Sequence, residues 1–458
     1  MTDLVVVGGG FAGLVAARDA AIAGASVTVV DPDQLGGKVR SSAFDGGELD
    51  EAADAFLARV PEGVDLCRAL GLEGDLVSPT ERRAHVWSRG RLRRLPEAQL
   101  LGVPTDLDEL ADSGILSPEG TRRVEGDLTT PLTAPAGDTS IGGVMRDRLG
   151  DEALERLVDP LVGGINAGDT DQLSLAATVP QLDAALRSGR SSLIEACRAQ
   201  RASVADTSAP VFFAPRAGMG ALVAALVGDL EARGVTVERD RVVGLEADGV
   251  RWRVALDGGA TRTADGLVLA LPARPAADLV RPHAARAATL LAAIPYASVA
   301  MVSLAVRREA VDRALDASGF LVPRVEGRTV TACSWTSAKW PHLAGDGTFW
   351  LRASVGRDGD EAALALPDDG LVAAVLADLA DLMELHGPPV DARVTRWHRS
   401  FPQYRPGHLD RVAAIDTELA AATPALVVAG AALRGLGVPA CIRQGADATR
   451  RVLAALHA

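Results

Sequence analysis

Lysine is almost missing from this chain. It occurs only at Lys38 and Lys339, and arginine supplies the rest of the 47 basic residues. Aromatic residues make up 3% of the sequence, too few to expect an aromatic cage around an amine. The four cysteines, Cys67, Cys197, Cys333 and Cys441, stand far apart with no metal-ligand spacing and read as reduced cytoplasmic thiols. No apolar run approaches the ~20 residues of a membrane-spanning helix. A strand pattern opens the chain directly, so no signal peptide is expected. The net charge of −13 argues against nucleic acid and against nonspecific attraction to an anionic membrane, although peripheral membrane contact stays open. Missing too are a Ser-His-Asp set, a metal cluster and a paired-carboxylate signature, so the catalytic residues are unassigned.

What is present is 458 residues, 48% of them hydrophobic, enough for two or three lobes with their own cores. Leu4 to Val7 is a short apolar run suited to a buried parallel strand. Gly8, Gly9, Gly10, Phe11, Ala12 and Gly13 follow in the spacing of a dinucleotide-binding turn. Gly8 permits the tight turn, Gly10 close approach to a pyrophosphate, and Gly13 close packing of helix on strand. A small-residue helix runs to Ala23, Ser26 to Val30 makes a second strand, and Asp31 ends it where a carboxylate can accept from a ribose.

Gly36, Gly37, Lys38, Val39 and Arg40 form a second glycine pair with two cations just beyond. This run resembles the flavoproteins of the amine oxidase and porphyrinogen oxidase superfamily, in which it passes close to FAD. Lys38 is expected near the FAD phosphates. The acidic segment after it returns towards the cofactor at Ala52, Ala53, Asp54 and Ala55, with Ala52 standing where the family carries glycine.

Three longer stretches narrow the resemblance: Asp159 to Asp169 (DPLVGGINAGD), Cys333 to Leu343 (CSWTSAKWPHL), and Arg396 to Tyr404 (RWHRSFPQY). With the two termini they resemble the oxygen-dependent porphyrinogen oxidases of haem biosynthesis, most closely the actinobacterial and Gram-positive coproporphyrinogen III oxidases. The resemblance implies an α/β fold in which a Rossmann-like FAD lobe interleaves with a mixed α+β substrate lobe and a helical lobe. The FAD lobe is expected at 1–75, 214–280 and 408–458. The substrate lobe is expected at 76–98, 191–213 and 281–407, and the helical lobe at 99–190. Val235 to Val243 reads as one strand, and the basic stretch from Arg82 to Arg94 as a hairpin around Arg89-Gly90 or a cationic wall for an acidic substrate.

The resemblance further implies that Val242, Trp397, Gly435, Leu436, Gly437 and Val438 line FAD, with a core aromatic as the other reading of Trp397. It implies oxidation of a porphyrinogen by FAD, molecular oxygen as acceptor and release of hydrogen peroxide. A haem-pathway enzyme is left open as partner. A tetra-acid needs cations or water around its rim, because an unpartnered propionate against apolar walls is costly. Arg40, His85 and Lys339 are therefore the expected substrate contacts, and coproporphyrinogen III the expected substrate. Open alternatives are protoporphyrinogen IX, another amine oxidase or desaturase activity, and an inactive flavin-binding relative.

Overall fold

A computed structural model describes residues 2–203, 209–343, 347–423 and 425–457. Strand Asp3–Val7 lies at the centre of a five-stranded parallel sheet. Ser26–Val30 and Thr236–Glu238 lie on one side of it, Gly266–Leu269 and Leu426–Val428 on the other. These strands are short and apolar because both faces are covered. Helices Phe11–Ile22, Met219–Ala232 and Val438–Leu456 form one core with one face. Helices Ala273–Val280, Ala285–Ala292 and His408–Ala422 form another core with the opposite face.

The expected single strand from Val235 to Val243 is instead two. Thr236–Glu238 joins the parallel sheet, and Val242–Asp248 opens an antiparallel meander with Arg251–Leu256 and Thr261–Ala264. The polar run Arg239-Asp240-Arg241 separates them and has no place in a strand covered on both faces.

The second sheet has seven strands, in the order Asp391–Pro402, Tyr296–Arg307, Thr348–Val355, Val330–Ser334, Gly319–Leu321, His85–Ser88 and Arg91–Arg94. Helix Asp368–Met383 packs on one face. Between its first and second pairs of strands the chain builds a helical lobe, whose core includes Leu110, Ile141, Met145, Leu154 and Leu182. Within 191–213, expected in the substrate lobe, helix Leu193–Ala202 buries Leu193, Ile194, Ala196 and Cys197 in this helical core. Its apolar face finds its complement there, and residues 204–208 lie outside the described residues. The stretch Leu154–Gly163 winds as a π-helix with Pro160 inside it, where proline's missing N–H would break an ordinary α-helical ladder. Among the described residues no helix is long and apolar enough to cross a membrane.

Candidate functional site

The glycine turn is built as its spacing suggests. Gly8 has φ +105°, and its N–H donates to the Val30 carbonyl at 2.9 Å. A Cβ on Gly13 would stand 1.9 Å from the Gly8 carbonyl oxygen, so only glycine allows the helix to sit this close. At Gly10 the opposite holds: a Cβ there would meet no atom within 4 Å. The turn therefore leaves open space at the helix N-terminus, which fits the approach of a pyrophosphate. The Asp31 carboxylate accepts from the N–H groups of Gly9 at 2.5 Å and Asp33 at 2.8 Å. A carboxylate has about four acceptor positions, so capacity for ribose hydroxyls remains.

The second glycine run lies directly against the first. Gly36 N–H donates to the Gly9 carbonyl at 2.7 Å, and a Cβ on Gly37 would fall 3.2 Å from the Gly10 Cα. Lys38 is not left free toward the turn: its Nζ donates to the Ser400 carbonyl at the end of strand Asp391–Pro402. Desolvation pushes its pKa down, and the neighbouring, partly buried Cys441 thiol is pushed up to about 11 by the same cause. Arg40 bonds Glu51 and stacks over Trp397, with its guanidinium carbon 4.7 Å from the ring centroid. The Trp397 indole N–H donates to the Glu51 carbonyl at 3.2 Å. Sequence reasoning placed Trp397 with the cofactor and Arg40 with the substrate. The structure puts them in one cluster beside Ala52.

Gly435, Leu436 and Gly437 lead into the N-terminus of helix Val438–Leu456. The Tyr404 hydroxyl clamps this loop, donating to the Ala431 carbonyl at 2.6 Å and accepting from Gly435 N–H at 2.9 Å. Val242 pairs with Leu256 at the start of the meander and packs in the core that holds Val30.

A narrow cleft of about 40 Å³ opens between the Asp159–Gly168 segment and the seven-stranded sheet. That volume is far below the roughly 300–1,000 Å³ of small-molecule sites, so a macrocycle enters only if the two walls part. Its walls include Val299, Met301, Thr331, Ser354 and Phe401, with Asp159 and Arg357 as its charged groups. Val299, Met301 and Phe401 cluster with Ala167 and Trp397, so one apolar wall runs from the cleft to Trp397 and thus to Arg40. Asp159, Arg357 and the bordering Arg324 were missed from sequence. Asp159 stood in the Asp159–Asp169 stretch that carries the resemblance but was given no role there, and nothing local marked Arg357 or Arg324.

The expected substrate contacts divide. Lys339 is committed: its Nζ lies 2.8 Å from Asp54, which also meets Arg352 at 3.2 Å. Burial alone would raise the Asp54 pKa, but the two cations overcome it and hold the carboxyl well below the usual carboxylate range. Asp54, expected beside FAD, is therefore an ion-pair centre joining the lobes, while Ala53 and Ala55 pack at the edge of the cofactor-lobe core.

His85 is on the wrong face for the cleft. Strand residues alternate, and Val86 faces the helical core while Trp87 packs with the core beneath helix Asp368–Met383. His85 shares the Trp87 side, its ring 5.9 Å from Trp335. Its Nδ1 is buried with no hydrogen-bond partner among the described residues, and burial pushes its pKa down. The basic hairpin is no cationic wall either. Arg83 pairs with Glu81, Arg94 with Glu97, and Arg89 donates to the Leu116 carbonyl.

Comparison with known proteins agrees with this architecture. Residues 11–453 match the family described as flavin containing amine oxidoreductase. The chain is 37% identical over 458 residues to the coproporphyrinogen III oxidase of Mycobacterium leprae, covering 99% of this chain and 98% of the relative. It is 32% identical over 461 residues to that of Bacillus subtilis, covering 98% and 97%. The crystal structure of an Exiguobacterium sp. 255-15 protein assigned as a protoporphyrinogen oxidase superposes with TM-score 0.89 at 30% identity, covering 100% of this chain and 99% of the other. The glycine turns, the interleaved sheets and the full-length matches lead to one conclusion: the chain belongs to the flavin containing amine oxidoreductases, in the group that includes the coproporphyrinogen III oxidases.

Proposed function

We propose that the protein oxidises coproporphyrinogen III to coproporphyrin III in haem biosynthesis, in the cytoplasm, with oxygen as terminal acceptor and hydrogen peroxide as by-product. The observation that carries this reading is the end-to-end likeness to coproporphyrinogen III oxidases. A cleft whose wall is continuous with the cofactor-side cluster is consistent with it. FAD is the cofactor, and when bound it supplies the two-electron acceptor.

The Gly8–Gly13 backbone would hold its pyrophosphate and Asp31 its ribose. Gly36, Gly37, Trp397 and the Gly435–Val438 loop would border the rest. The N-terminus of the last helix would favour negative charge by ~0.3–2 kcal/mol. The apolar wall of Val299, Met301 and Phe401 would hold the macrocycle flat and exclude water. Aromatisation makes the reaction downhill, so orientation is the main demand on the chain. A porphyrinogen is six hydrogens richer than its porphyrin, so three two-electron rounds complete it.

Mixing the flavin-loaded protein with coproporphyrinogen III and, separately, protoporphyrinogen IX tests the reading through porphyrin fluorescence and peroxide release. A larger kcat/KM for coproporphyrinogen III is expected. A preference for protoporphyrinogen IX would reassign the substrate, and no porphyrin from either would overturn the activity.

A further inference from the structure

One end of the cleft holds a buried arginine that makes few hydrogen bonds. Arg357 stands two residues past the end of strand Thr348–Val355, is 8% exposed and lines the cleft. Among the described residues, its guanidinium makes one hydrogen bond, a long one of 3.4 Å from Nε to Asp360, whose side chain is half-exposed. Arg324 stands beside it. Arg324 Nη2 reaches the carbonyls of Gly168 at 3.3 Å and Asp358 at 3.4 Å, while its Nε is buried with no hydrogen-bond partner among the described residues.

Three carboxylates stand near this pair, so the feature that calls for a ligand is the set of unused donors on the Arg357 guanidinium and not net charge. Asp358 is held by Arg405 at 2.6 Å. Asp159 is occupied at Oδ1 by the Thr170 hydroxyl at 2.8 Å, and no ion pair joins it to Arg357 among the described residues. Burial first, and Arg324 second, push the Arg357 pKa down from its ordinary value, against the opposing pull of Asp360 and Asp159. An arriving anion would relieve that stress.

We propose that Arg357, backed by Arg324, is the anchor for one propionate carboxylate of the porphyrinogen and selects acidic macrocycles over apolar ones. A guanidinium offers paired donors matched to a carboxylate, and in a buried site such a bond is both strong and directional. The remainder of the macrocycle then lies along Met301 and Phe401. This inference rests on the porphyrinogen reading above.

The test uses the flavin-loaded protein, Arg357→Leu, Arg357→Lys and Arg324→Leu. Coproporphyrinogen III is compared with its tetramethyl ester, with unfolding temperature and flavin spectrum checking integrity. For Arg357→Leu, KM for the acid should rise ~10–100-fold while kcat/KM for the ester stays within about threefold of the parent. Arg357→Lys should recover part of the loss, and Arg324→Leu should show a smaller defect of the same kind. An equal loss for acid and ester, or an unchanged KM for the acid, would overturn the anchor. Fluorescence titration with the product, coproporphyrin III, gives a readout independent of turnover. Arg357-dependent binding by a protein that oxidises no porphyrinogen would sink the activity and keep the carboxylate site; binding indifferent to Arg357 would sink the site.

Discussion

Gly10 and Gly13 are three residues apart and should fail in opposite ways. A methyl on Gly10 meets nothing within 4 Å, and the residue already has an ordinary φ of −75°. Gly10→Ala is therefore expected to leave the unfolding free energy of the flavin-free protein within ~0.5 kcal/mol of the parent while weakening FAD binding. A methyl on Gly13 would overlap the Gly8 carbonyl, so Gly13→Ala should give insoluble or unfolded protein. Unfolding curves with and without FAD check both.

Asp54 gives a pH-dependent prediction. Its carboxyl is depressed in the folded state, so the stability it adds is present above about pH 4 and is lost as pH falls towards its folded pKa. Asp54→Asn would leave Lys339 and Arg352 buried without their shared anion. The loss should be about 3 kcal/mol near neutrality and fade in acid, read by urea unfolding at several pH values. Asp50, pushed up to about 6 mainly by burial, has the opposite slope and costs stability as pH rises from about 4 to 6. Neither partnership was visible in the sequence, because Asp54 and Lys339 are brought together only by the tertiary fold.

Among the elements, the loop before the last helix is bridged by the Tyr404 hydroxyl, beside bonds from Gln444 and His408. Tyr404→Phe removes the bridge between the Ala431 carbonyl and Gly435 N–H, both at the border of the cofactor turn. We expect a loss of ~1–2 kcal/mol and faster FAD release, followed by flavin fluorescence on dilution. The first strand-turn-helix unit and the Arg89-Gly90 hairpin could be read beforehand because their signals are local. Both hairpin residues adopt positive φ, 54° and 77°, as a tight connection demands. The direction of the hairpin's charges could not be read, since Glu81, Glu97 and the Leu116 carbonyl decide it from outside the strands. The same reason misplaced helix Leu193–Ala202, whose amphipathic pattern announces a helix but not which core receives it.

In the whole molecule, the cofactor lobe is assembled from both ends of the chain. The Thr449 hydroxyl donates to the Ala16 carbonyl at 2.8 Å, and Gly445 lies against Ala12 so closely that a Cβ would fall 2.3 Å from its carbonyl oxygen. Binding of FAD should therefore stabilise elements far apart in sequence together. At FAD a hundredfold above its dissociation constant the gain is ~2.7 kcal/mol, seen as a rise in unfolding temperature of the whole protein in one transition. Two separate transitions, with only one shifted, would show that the lobes unfold independently.

The π-helical stretch Leu154–Gly163 also sets an angular phase. In an α-helix each residue advances the chain by about 100° around the axis, so the wider winding here decides which way Asp159 and Gly163 look. Removing one residue between 154 and 158 could restore a regular helix without loss of length elsewhere. It would also turn the preceding helical lobe by roughly a quarter of a revolution relative to the cleft. The distance between the two lobes would barely change, but their relative orientation would be lost, making this segment as intolerant of deletions as its buried Leu154, Leu157, Val158 and Val162 are of polar replacement.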